Sequence, residues 1–156
     1  MAHKADNDGV ITIQPFIFII GLFTGHLTHY FYPMNFLPES WSIWIGVPLM
    51  MVSFPPIAIM AFKSFKKAET GPDVRTPTTV IVSVGVYRLT RNPMYFSLAI
   101  LYLGITCWVN SIWCLLLLFP VLIVVNEGVI KREEKYLEKK FGDEYLKYKS
   151  TVRRWI

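Results

Sequence analysis

Charge is what this chain of 156 residues has least of: Asp, Glu, Lys and Arg make up 17% of it, while 53% is hydrophobic. Soluble domains carry about 25% charged residues, and the mean hydropathy here is +0.40. The scarcity excludes an ordinary soluble domain and points to an integral membrane protein. It is also localised, because residues 9–38, 40–62 and 92–126 contain no Asp, Glu, Lys or Arg at all. Each of these runs exceeds the roughly 20 residues that a bilayer-spanning helix needs.

Other absences narrow the chemistry. The chain has 2 cysteines, Cys107 and Cys114, and 3 histidines. They form no cluster with metal-ligand spacing, so no metal site is expected. A disulfide between the cysteines does not follow from spacing alone, and both read as apolar filler near the outer ends of two spans. No glycine-rich loop follows a strand-like segment, which excludes the soluble dinucleotide and phosphate-loop architectures. The net charge of +5 does not argue for nucleic acid, because the basic residues adjoin the apolar runs, where anionic lipid and insertion bias account for them.

What is present builds on the runs. The third is 35 residues long, and as one helix it would reach roughly 50 Å against a hydrocarbon core of about 30 Å. It has to fold back. Asn110-Ser111, flanked by Trp108 and Trp113, is the expected turn, since polar residues and tryptophans both suit the headgroup layer. The expected fold is therefore an all-α integral membrane protein. It has four transmembrane helices at about 11–32, 41–62, 93–109 and 112–130, a structured cytoplasmic loop and a C-terminal amphipathic cytoplasmic helix. Lys and Arg crowd into 63–91 and 131–156 and are absent from 33–40 and 110–111. Both termini of this multi-pass protein are expected in the cytoplasm, at the cytoplasmic membrane of a prokaryote or an internal membrane otherwise. No short apolar core with a small-residue cleavage site opens the chain, so the first run is expected to stay as a span.

Within this frame several residues stand out. His26 and His29 share a helix face near the outer end of the first span, where they suit a wet interfacial belt with Tyr30 and Tyr32 or, less simply, a ligand pair. Pro48 and Pro55-Pro56 are expected to kink the second span. Residues 63–91 are too long and too punctuated, by Gly71, Pro72, Pro77 and Gly85, to be a plain connector. Thr78 to Val86, TTVIVSVGV, is β-prone and reads either as an extended segment presenting backbone groups to a ligand or as a surface linker.

Asn92-Pro93 is a helix-start signal, with Asn as N-cap and Pro in the first turn. The unpaired amides there, with Arg88 and Arg91 just before them, read either as a place for an anion, held by both together, or as a topological anchor, which is the simpler reading of each arginine alone. Past the last run, Val129, Ile130, Tyr136, Leu137 and Phe141 recur near helical spacing among charges until Gly142 breaks the pattern. Glu133 and Glu134 lie early in that helix, at the level where Arg91 and Tyr95 begin the third span, so one interfacial pocket can hold all four.

The pairing of GVYRLTRNPMY (85–95) with REEKYLEKKFGDEYLKYK (132–149) resembles the C-terminal half of the isoprenylcysteine carboxyl methyltransferase and phospholipid methyltransferase superfamily. The resemblance covers residues of about 70–156. Family members usually carry G-x-Y-x-x-x-R-H-P-x-Y-x-G and then a glutamate pair after the final span. Here Asn92 stands for the histidine, Val86 for a proline common after the first glycine, and Ser97 for the last glycine.

The resemblance implies one methyltransferase domain over 1–156 with S-adenosyl-L-methionine as cofactor. It assigns cofactor contacts to Thr79, Val80, Ile81, Val82, Tyr87, Asn92, Pro93, Met94, Tyr95 and Glu133, beside which Arg91 and Glu134 complete the expected pocket. Glu133 and Arg132 are the candidate catalytic residues. In the prenylcysteine enzymes an arginine one turn before the glutamate bears on substrate, and Val129 holds that place here. The expected reaction moves the cofactor's methyl onto a lipophilic carboxylate or amine, of a membrane lipid, a small molecule or a prenylated cysteine, in a water-poor cavity at the cytoplasmic interface. Two other readings stay open: an NADPH-dependent sterol-type reductase, for which the chain is short, and a small four-span transporter without catalysis, for which ionisable residues inside the spans are scarce.

Overall fold

The computed structural model describes residues 14–67 and 85–155, and among them every regular element is helical. In chain order these are α1 (Gln14–Phe31), α2 (Glu39–Lys67), a 3-10 turn (Gly85–Arg88), α3 (Pro93–Val109), α4 (Ile112–Val125), a π turn (Asn126–Ile130), α5 (Lys131–Phe141) and α6 (Asp143–Thr151). The first three apolar runs thus become α1, α2 and the α3–α4 pair. α2 continues past the expected limit at residue 62 to Lys67, because the lysines that end the apolar run are themselves good helix formers. Pro48 and Pro55-Pro56 lie within this single helix and do not divide it.

The fold-back falls at the expected turn. Asn110 adopts the left-handed conformation (φ 56°, ψ 44°), which asparagine tolerates, and its N–H closes α3 on the Cys107 and Thr106 carbonyls. Ser111 caps α4 by accepting the Cys114 N–H at 3.3 Å. The α1–α2 connection lies against the same end of the bundle. Asn110 Oδ1 accepts the N–H groups of Phe36 (3.1 Å) and Leu37 (2.8 Å), and its Nδ2 donates to the Leu37 carbonyl at 2.7 Å. The Ile112 N–H reaches the Met34 carbonyl at 3.1 Å, and Trp113 Nε1 reaches that of Tyr32 at 2.6 Å. Both hairpin connections therefore share one end, and the four helices alternate in direction.

The cross-section is inverted relative to a soluble protein. Phe16, Ile19, Ile20, Phe23 and Leu27 of α1, Trp41, Trp44 and Met51 of α2, and Leu116, Phe119 and Ile123 of α4 are exposed, while Ser53, Ser97, Thr106 and Ser111 are buried. An apolar skin this continuous matches hydrocarbon and not water. One continuous helix, Ile112–Phe141, is long and apolar enough by itself to cross a membrane, and α1 and α3 are shorter apolar helices. The interior is tight between α2 and α3. A Cβ placed on Gly46 would lie 2.6 Å from Trp108 N and 2.8 Å from the Gly104 carbonyl, so only glycine permits this approach. Ser97 Oγ ties the same pair together by donating to the Ser53 carbonyl at 2.9 Å. Cys107 and Cys114 are buried free thiols.

The apolar run ends without a break in the helix. The π turn Asn126–Ile130 joins α4 to α5, adding a residue to the turn and rotating everything that follows about the axis. With that phase, Val129 and Ile130 enter the core and Glu134 is buried. Gly142, at φ 54°, then separates α5 from α6, as its pattern-breaking place implies.

Candidate functional site

The site lies at the opposite end from the two connections, where α3 begins and α4 passes into α5. Pro93 occupies the first turn of α3, as expected, and Asn92 stands at the cap position. Its side chain does not cap the helix: Nδ2 donates instead to the Arg154 carbonyl at 3.0 Å. The amide is drawn away by the last residues of the chain, which no sequence pattern had singled out.

One turn into α3, Tyr95 is buried. Its hydroxyl lies 3.0 Å from both carboxylate oxygens of Glu133 on α5. A phenol donating to a carboxylate is a charge-assisted hydrogen bond, and here it joins two residues 38 positions apart. Glu133 is only partly buried, whereas Arg132 and Met94 are exposed. Tyr87 approaches from the 3-10 turn. Burial pushes its hydroxyl pKa well up, and the nearby Tyr148 and the Glu133 carboxylate push it further in the same direction. Tyr148 pins this turn by donating to the Tyr87 carbonyl at 2.7 Å.

Glu134, adjacent in sequence, does something different. It is buried, and its oxygens meet Arg154 Nε at 2.9 Å and Nη2 at 2.7 Å in a bidentate pair. Arg91 Nη1 lies 3.0 Å from the same carboxylate, with side-chain exposures of 9% for Arg91 and 6% for Glu134, so one acid sits between two guanidinium groups out of water. Burial alone would raise the Glu134 pKa. The Arg154 hydrogen bonds and the charges of Arg91, Arg154 and Lys149 outweigh it and hold the carboxyl below the usual range.

The tail completes the arrangement. The Arg91 N–H donates to the Arg153 carbonyl at 3.0 Å, Thr90 Oγ1 donates to the Arg154 carbonyl at 3.0 Å, and Arg154 Nη1 reaches Asn126 Oδ1 at 3.3 Å. Trp155 packs against the apolar core. Sequence reasoning missed Arg154, Thr90 and Asn126. The only signal was Arg153-Arg154-Trp155 itself, an aromatic and two cations beyond the amphipathic pattern.

The structure thus brings Tyr87, Arg91, Asn92, Pro93, Tyr95, Glu133 and Glu134 to one end of the bundle. Thr79, Val80, Ile81 and Val82 lie outside the described residues. Gly85 and Val86, expected as the end of an extended stretch, sit instead in the 3-10 turn, with Gly85 at φ 65°: a left-handed glycine turns the chain where β-propensity would have kept it straight. No group of three or more potential metal ligands occurs among the described residues, and His26 and His29 lie on α1 in no such group.

A partly exposed carboxylate beside two phenols suits a cation that also carries hydroxyl groups, and the partner glutamate, locked between guanidiniums, keeps the framework in place. Comparison with known proteins places the chain in a family. The family model described as phospholipid methyltransferase matches residues 41–144, two thirds of the chain, including Tyr87, Arg91, Tyr95, Glu133 and Glu134 but neither Tyr148 nor the tail. A Haemophilus influenzae protein, described as "Uncharacterized protein", is 49% identical over 63 residues, which is 40% of this chain and 100% of the relative.

Proposed function

The chain belongs to the phospholipid methyltransferase family, and from that premise we propose that it transfers the methyl group of S-adenosyl-L-methionine to a lipophilic acceptor at the cytoplasmic face of a membrane. The family points to methyl transfer onto a lipid-type substrate. The observation that carries the finer reading is the 3.0 Å contact between the Tyr95 hydroxyl and the Glu133 carboxylate, which joins the two motifs on which the family likeness rests. In this reading α1 to α4 each cross the bilayer and both termini are cytoplasmic. The apolar outer faces and the basic residues gathered at the site end support that topology.

When bound, S-adenosylmethionine supplies an activated methyl on a sulfonium sulfur. Glu133 offers the carboxylate for its cationic or hydroxyl-bearing parts, Tyr95 orients that carboxylate, and Tyr87 adds an aromatic face at the edge. Thr79 to Val82 are proposed to complete the pocket. The acceptor enters from the bilayer, so the apolar surroundings exclude water and positioning supplies most of the rate. An amine acceptor has to lose a proton first. Of the two glutamates, Glu133 is the candidate base, because two guanidiniums stabilise the ionised form of Glu134 and make it a poor proton acceptor.

Calorimetric titration of the purified full-length protein with S-adenosylhomocysteine, in detergent and in lipid nanodiscs, tests the reading. Saturable binding that weakens in Tyr95→Phe is the expected result. Absence of binding in every lipid, or binding of NADPH in its place, overturns it. Transfer of labelled methyl from S-adenosylmethionine to extracted membrane lipid then identifies the acceptor.

A further inference from the structure

Arg154, in the C-terminal segment after α6, touches both halves of the site at once. Its carbonyl accepts from Thr90 Oγ1 and Asn92 Nδ2, at the threshold of α3. Its guanidinium takes Glu134 of α5 in a two-point grip, and it extends to Asn126 in the π turn that sets the rotation of α5. The neighbouring Arg153 carbonyl holds the Arg91 N–H, and Trp155 anchors the tail in the core. Tyr95 lies three residues past Asn92, and Glu133 lies one before Glu134. The tail therefore grips each helix within one turn of the residue that helix contributes to the pair.

We propose that Arg154 is a positioning residue, closing a C-terminal clasp that sets the approach of α3 to α5 and thereby the Tyr95–Glu133 pairing. The inference rests on the cofactor site proposed above. The contacts of Arg154 fall on Thr90, Asn92, Glu134 and Asn126, and through the backbone of these neighbours it acts on the Tyr95–Glu133 pair. A lysine could supply the charge but not the fork that meets both oxygens of Glu134.

Two measurements on the full-length protein in nanodiscs decide it. In the first, S-adenosylhomocysteine affinity is titrated in the wild type, Arg154→Ala, Arg154→Lys, Glu133→Gln and the Arg154→Ala/Glu133→Gln double variant. Arg154→Ala is expected to bind about tenfold more weakly, with Arg154→Lys in between. The double variant should be no weaker than Glu133→Gln alone, because a residue acting through Glu133 has nothing left to position. Unchanged affinity in Arg154→Ala, or losses that multiply in the double variant, overturns the proposal.

In the second, amide hydrogen exchange is compared without any ligand. Residues 90–96 and 131–135 should exchange about tenfold faster in Arg154→Ala than in the wild type while α1 is unaffected, and equal exchange overturns the clasp. If Arg154→Ala does not fold, Arg154→Lys carries both measurements. A wild type that binds no S-adenosylhomocysteine defeats the cofactor reading, and the exchange experiment still decides whether the clasp exists.

Discussion

α3 is held at both ends by an asparagine that reaches distant backbone, and the two ends are built on opposite principles. At the outer end Asn110 uses its oxygen twice and its nitrogen once on Phe36 and Leu37, with no charged group involved. At the inner end Asn92 makes one such bond to Arg154, and the rest is an acid between two guanidiniums, with the buried Nε of Arg91 finding no acceptor among the described residues. A neutral amide suffices to join helices. Buried charges are costly to desolvate, and a fold that needed only a seam would do as well with apolar side chains. On the proposed function, the contrast is between an end that serves architecture and an end that serves a task.

Substitutions can break or sharpen that contrast. The largest effect is expected from Glu134→Ala, which strands Arg91 and Arg154. Breaking a buried pair costs about 3–5 kcal/mol, to be read as lost stability in chemical unfolding of the nanodisc-embedded protein. Glu133→Ala should do the reverse: affinity for S-adenosylhomocysteine falls roughly a hundredfold, equivalent to about 2.7 kcal/mol, while the unfolding temperature moves by no more than about 2 °C. Asn110→Ala orphans the Phe36 and Leu37 N–H groups and puts alanine at a positive φ, so about 1–3 kcal/mol of stability should go, with cofactor affinity within about twofold of wild type. A large loss of affinity there would erase the distinction between the two ends.

The smallest effect is a pH dependence. The folded-state pKa of Glu134 is lowered, so its contribution to stability is complete above the unfolded carboxyl value of about 4.3 and is lost as pH falls through the lower folded value. Stability should be level from about pH 7 to about pH 5 and decline below about pH 4. Glu134→Gln should abolish that part of the decline.

Much of this was legible in the sequence because membrane solvation acts on composition directly. The uncharged runs became helices, Asn110-Ser111 became the turn, Pro93 opened α3, and Gly142 ended α5. Tyr95 and Glu133 were expected to share a pocket and are in contact. What the pattern did not carry was pairing specificity. Glu133 and Glu134 are identical in type and adjacent, and only the helix phase after the π turn decides which is buried with the arginines. The tail was invisible for a related reason: Arg153, Arg154 and Trp155 form no periodic pattern, and their partners lie 62 and 20 residues away. Asn92 stands at the cap position that its sequence predicts but makes a different bond, since a local cap competes with a backbone carbonyl 62 residues away.

Because Ile112–Phe141 is unbroken, the outer turn and the glutamates ride on one rod. From Ile112 to Glu133 the rod measures about 32 Å at 1.5 Å per residue, so a tilt of about 5° swings its inner end by roughly 3 Å, as much as a hydrogen bond is long. Helices tilt to match the thickness of the bilayer around them. If the rod spans the bilayer as proposed, a change in its tilt relative to α3 changes the gap between Tyr95 and Glu133, and acyl-chain length becomes a variable of the site itself.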